Sequence, residues 1–181
     1  VFELHWFRKN AYNLGVLKCE TWGIGYILRI FKACLAFSCF YPTDLSAPDD
    51  SEIAIMAMRC HFIISSALIS LSRTEDKVEE HLQHYLAARR HIREFDAMLE
   101  TKVDTTLEES VMIDLIAKLS TLLVFDFEAA TALKDWDSLN ETVRKAKICQ
   151  DEVTYKAMGD CILRSRAPGK GRRADKKSYL G

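Results

Sequence analysis

His81 and His84 stand three apart, with Glu80 beside them. On a helix that spacing places two imidazoles on one face, where they can share a divalent metal. No third ligand follows at a zinc-type spacing, and the surrounding stretch is charged, so a solvated face explains the pair more simply. Cys60-His61 offers a nucleophile and a base side by side. Adjacent helical side chains diverge by about 100°, which prevents the direct hydrogen bond of a catalytic dyad. Core packing is the better reading of both. The carboxylate pairs Glu79-Glu80, Glu108-Glu109 and Asp126/Glu128 fit helix starts and solvated faces. Gly169-Lys170-Gly171 has no strand before it and is not a phosphate loop. No catalytic, cofactor-binding or metal-binding residue is therefore assigned. The partners expected are proteins, with no small-molecule substrate.

The elements that carry these residues read as helices. The chain has 181 residues, 49% hydrophobic and 28% charged, so a substantial core can form and disorder is not the default. Only 7 Gly and 3 Pro interrupt it, which favours long helices over a many-turned sandwich. Net charge is −1 but uneven: from Arg164 to Gly181 there are seven basic residues and one acid, net +6, leaving 18 basic and 25 acidic residues, net −7, elsewhere. Residues 165–181 are expected to be a disordered basic tail, separate from a helical segment over residues 1–164. With Tyr179 as its one aromatic, the tail suits weak nucleic-acid contact or nuclear import better than base stacking. The six cysteines (19, 34, 39, 60, 149 and 161) contain no Cys-x-x-Cys, and they read as reduced, buried thiols of an intracellular protein. Gly23–Tyr41 is the nearest approach to a membrane span, but Arg29 and Lys32 share one of its faces, so an amphipathic helix is expected and no membrane contact.

Apolar periodicity predicts about six helices. They are expected near 2–19 (inward face Leu4, Phe7, Ala11, Leu14), 24–40 (Ile24, Ile27, Phe31, Cys34, Leu35), 51–72, 75–100 (Val78, Leu82, Tyr85, Ile92, Leu99), 107–133 and 138–164 (Leu139, Val143, Ala146, Val153, Ala157). In the fifth, Val111, Leu115, Leu119 and Leu122 form the stripe, broadened by Met112, Ile116, Leu123 and Phe127. The third is apolar nearly all round, as a helix between neighbours must be. Asp50 or Ser51 is expected to cap the third helix, Thr74 the fourth, and Thr106-Leu107-Glu108-Glu109 reads as a capping box for the fifth. Lys134-Asp135-Trp136-Asp137-Ser138-Leu139 is the tightest turn. An apolar residue then recurs four and seven places on, as Leu139, Val143 and Ala146. Ile27, Phe31 and Cys34 repeat that spacing, as do Val78, Leu82 and Tyr85. It is the layout of the second helix in a tetratricopeptide-type hairpin, but intervals of 51 and 61 residues exceed the roughly 34 of that repeat. The fold expected is all-α: a tetratricopeptide-like α-solenoid of antiparallel hairpins, whose stacked faces make a wall for partners.

Several ordered segments resemble the meiotic sporulation-specific protein 22 family, also called Zip-four-like. They are His5-Trp6-Phe7-Arg8-Lys9-Asn10-Ala11-Tyr12-Asn13-Leu14-Gly15 with Trp22 downstream, Ala33-Cys34-Leu35-Ala36-Phe37, Tyr41-Pro42, Arg59-Cys60-His61-Phe62 and His81-Leu82-Gln83-His84-Tyr85-Leu86. The resemblance covers about Leu4 to Leu163. It implies a non-enzymatic tetratricopeptide-like scaffold in the nucleus, on chromosomes, that promotes crossover formation and synapsis by assembling meiotic recombination proteins. Family members are several times longer, so this chain would supply part of their solenoid, and residues 165–181 do not resemble them. The family's partner-binding residues map onto no motif here. A generic helical-repeat adaptor or regulatory subunit outside meiosis is the alternative expectation.

Overall fold

Apolar residues spaced by three and four become helix along the chain. The computed structural model describes residues 2–42, 47–102, 107–149 and 151–166. They form seven helices: α1 (Phe2–Lys18), α2 (Ile24–Phe37), α3 (Ala47–Thr74), α4 (Val78–Lys102), α5 (Glu109–Leu133), α6 (Trp136–Cys149) and α7 (Glu152–Arg166). A short 3-10 turn, Ser38–Phe40, follows α2, and no strand occurs among the described residues. The fold is all-α, built of helical hairpins packed on their neighbours.

The repeated spacing marks one helix of each hairpin. Ile27, Phe31 and Cys34 lie on α2, Leu82 and Tyr85 on α4, Leu139, Val143 and Ala146 on α6. Most of them pack inward, whereas Val78, expected in that set, is 72% exposed at the first residue of α4. The odd helices pack differently. α3 packs against α5 and α5 against α7, across the intervening helix, and no two even helices approach as closely.

The expected sixth helix is two. Asp151 interrupts it: its Oδ1 accepts the Val153 amide at 3.0 Å, and its Oδ2 accepts the Thr154 hydroxyl at 2.9 Å, capping α7. After that break the inward face changes register. Val153 is 71% exposed, and Thr154 and Met158 face the core instead. Other ends also move. α3 begins at Ala47, ahead of the expected caps Asp50 and Ser51. Thr74 closes α3 rather than capping α4, its hydroxyl donating to the Ser70 and Leu71 carbonyls at 3.2 and 3.1 Å. Thr106 lies outside the described residues, and the position before α5 falls on Glu108, whose side chain caps nothing. Of the tail expected over residues 165–181, residues 165 and 166 are the end of α7 instead, and residues 167–181 lie outside the described residues, as do residues 43–46 of the loop before α3.

Two close-packed regions share α3. One joins Phe31 and Cys34 of α2 to Cys60 and Ile64 of α3 and Tyr85 of α4. The other joins Met58 of α3 to Phe95 of α4, Leu115, Leu122 and Phe127 of α5, Ala146 of α6 and Met158 of α7. α3 is long and apolar enough to cross a membrane, yet here it is sandwiched between α2, α4 and α5. On α1 the inward face is rotated from the expected one. Phe7 and Leu14 are exposed while Arg8 and Gly15 are buried. The cause is the close approach of α2: a Cβ on Gly15 would stand 2.8 Å from Phe31 Cζ. Only glycine lets the two helices meet there. At the other tight joint, Lys134 takes φ 58° to end α5, with the Asp135 amide on the Ala130 carbonyl at 2.9 Å and the Lys134 amide on Thr131 at 3.2 Å. This is a Schellman-type close made by lysine where glycine is usual.

Candidate functional site

The residues with chemical potential are dispersed among structural pairs. His81 does not join His84: its Nδ1 meets the Ser72 carbonyl at 2.5 Å, and its ring stands edge-on to Tyr85. Glu80 pairs with Lys77. Among the described residues no three His, Cys, Asp or Glu side chains gather as a metal site would need. Cys60 and His61 diverge as adjacent helical positions must. Cys60 is buried, and its hydrogen bond with Cys34 and its burial push the thiol pKa up, away from a nucleophilic thiolate. His61 turns instead to His91 of α4, with Nδ1 to Nδ1 at 2.9 Å. Burial, and then the facing His91, lower the His61 pKa to about 4. Burial, and then Lys32, lower that of His91. All six cysteines are free thiols; Cys34 and Cys60 are buried and Cys149 and Cys161 half-buried, but Cys19 and Cys39 are exposed, contrary to the expectation for the set.

Asp126 and Glu128 are not a solvated pair either. Asp126 accepts from Arg89 Nε at 2.7 Å and from the Thr142 hydroxyl at 2.8 Å. Arg89 reaches on to Asp135 at 2.6 Å, which also accepts the Ser138 hydroxyl. One buried guanidinium thus ties α4 to α5 and to the turn before α6. The Ser138 hydrogen bond first, and then Arg89, hold the Asp135 carboxyl down at about 2. Glu128 takes Arg73 in a fork at 2.9 and 2.6 Å and the Tyr85 hydroxyl at 2.9 Å. Burial works to raise its pKa, but those hydrogen bonds hold it below the ordinary carboxylate value. Burial, with Glu128 beside it, pushes Tyr85 up to about 12. Asp114 is shared by Arg59, at 3.3 Å, and Lys118. Arg8 is buried under the Tyr41 ring, 5.0 Å from its centre, with Nε and Nη1 unpartnered among the described residues. Sequence reasoning missed Arg89 as a buried anchor, although Leu82, Tyr85, Arg89 and Ile92 share one helical spacing. It also missed His91, Arg59 and Arg73, which carry no local signal.

What remains open is a trough of about 690 Å³ between α5 and α7. Met112, Ile113, Ile116, Ala117 and Val124 of α5 line one side, with Cys149, Val153, Thr154 and Ala157 opposite. Its mouth carries Ile113, 64% exposed, and Val153. Met112 and Ile116, expected to broaden the core stripe of α5, line this trough instead. Smaller cavities adjoin the polar pairs: about 490 Å³ beside Arg73, Glu128 and Arg164, and about 420 Å³ beside His61 and Glu94. Their charged groups include members of the structural pairs above. Comparison with family models, with curated proteins and with solved structures finds no match to this chain.

Proposed function

We propose that this chain is a non-enzymatic protein-interaction scaffold of meiotic recombination, promoting crossover formation and synapsis by holding partner proteins together on chromosomes. The observation that carries the scaffold reading is the exposed apolar trough between the packed helices α5 and α7. The Cys60-His61 and His81/His84 candidates supply no converging catalytic set around it. An exposed apolar trough on a rigid helical wall is a feature of partner-binding surfaces. Binding several partners on one wall raises their effective concentration for each other. The meiotic part of the reading rests on the family resemblance of the segments in α1, α2, α3 and α4.

The test is affinity capture with tagged full-length chain from extracts of meiotic cells, beside an Ile113→Gln/Val153→Gln double variant. Both side chains are mostly exposed, so the variant should fold normally, which a thermal melt checks. Recombination and synapsis proteins should be enriched by the native chain and lost by the variant. Capture of unrelated proteins alone, lost by the variant, would replace the meiotic reading with an adaptor outside meiosis. Equal capture by both chains would overturn the trough as the binding surface.

A further inference from the structure

We infer that the α5–α7 trough receives an amphipathic helix of about four turns, lying antiparallel to α5, with Lys or Arg in its C-terminal turn. This deepens the scaffold reading and rests on it. Shape comes first. The α5 lining runs from Glu109 to Phe125, about 24 Å at roughly 1.5 Å per residue, which matches about four helical turns. An extended peptide is a poor occupant. The walls are helices whose backbone groups are already bonded within themselves, so a strand would bury its own amides and carbonyls unpaired. A helix satisfies its backbone internally and presents apolar side chains at i, i+3, i+4 and i+7.

Charge fixes the ends. The two charged residues among the described lining are Glu109 and Asp151, and no lysine or arginine joins them. Glu108 and Glu152 adjoin them in sequence. These acids stand where α5 and α7 begin, so negative charge collects at one end of the trough. A basic turn must lie over that end. Basic residues also suit the C-terminal turn of their own helix, because its exposed carbonyls carry partial negative charge. Placing that turn over Glu109 makes the guest antiparallel to α5, with the two helix dipoles opposed.

The experiment uses full-length chain and two fluorescein-labelled designed helices of equal length and identical leucine stripe. One has lysines in its C-terminal turn, the other glutamates. Fluorescence anisotropy should show the lysine helix binding about tenfold or more tightly, with the gap narrowing in high salt. Glu109→Lys leaves one acid and one base in the described lining and should remove most of the preference. The Ile113→Gln/Val153→Gln variant should weaken both helices with an unchanged melt. Equal binding of the two helices, or preference for glutamate, would overturn the basic-helix assignment while leaving the trough a binding surface. Binding undiminished in the double variant would overturn the trough itself. The chain's own basic tail is tested by changing Arg172, Arg173, Lys176 and Lys177 to Gln together. Were that variant to bind the lysine helix markedly more tightly than the native chain, the tail would itself fill the trough in the free chain, which would overturn a separate partner as its resting occupant.

Discussion

Mild acid should loosen this fold through one contact. His61 and His91 face each other across α3 and α4 at 2.9 Å. One nitrogen must donate and the other accept, so at least one ring is neutral in the native state. His61 is only 6% exposed, and burial with the facing His91 lowers its pKa to about 4 from 6.5. The unfolded chain takes up a proton near the ordinary value, whereas the folded chain does not until much lower pH. The stabilisation is therefore complete above about pH 6.5 and is lost as pH falls toward the folded value. At about 1.4 kcal/mol per pKa unit, pH 5 should cost about 2 kcal/mol relative to pH 8. The downward shift of His91 acts in the same direction. The carboxylates Glu128 and Asp135 are shifted down, so their contributions vanish mainly below that window. Urea titrations at pH 8, 6 and 5 read the effect as a midpoint falling by about 1 M. A His61→Leu/His91→Leu double variant should show most of the slope removed. Native stability unchanged between pH 8 and 5, or an identical slope in the double variant, would refute the reasoning.

Other changes test the joints. Arg89→Met strips Asp126 and Asp135 of their cation and should destabilise by about 3–5 kcal/mol, seen in a thermal melt and as faster hydrogen exchange in α6. Gly15→Ala drives a methyl into Phe31 and should cost about 1–3 kcal/mol, with α1 exchanging first. Lys134→Gly relieves the left-handed backbone and should raise stability by about 0.5–1 kcal/mol after the extra freedom of the unfolded glycine is subtracted. Each is measured by denaturant unfolding.

The helical class was legible because each apolar stripe is long and its period unambiguous. The triplets on α2 and α6 face inward, but on α4 the spacing holds only for Leu82 and Tyr85, because Val78 at the helix start is exposed. Ends were less legible. Asp151 competes with a run of helix-compatible neighbours, and nothing local shows that its carboxylate will bond the amide of Val153 and the hydroxyl of Thr154 rather than face solvent. The register of α1 was set by α2: Gly15 faces inward because Phe31 comes so near, a fact that lives on another helix. The trough was invisible for a related reason. Met112 and Ile116 fit a buried stripe as well as an open one, and which they become depends on where α7 lies after the break at Asp151. Arg89 lay within an apolar spacing, but its two carboxylate partners, 37 and 46 residues on, are known only from packing.

The scaffold reading is tested most directly by photocrosslinking in meiotic cell extract, with p-benzoylphenylalanine placed at Ile113 in the trough or at Lys147, exposed on α6. Discrete crosslinks to recombination or synapsis proteins should form from position 113 and be absent from position 147. No crosslink from position 113, or the same products from both, would contradict a partner wall between α5 and α7.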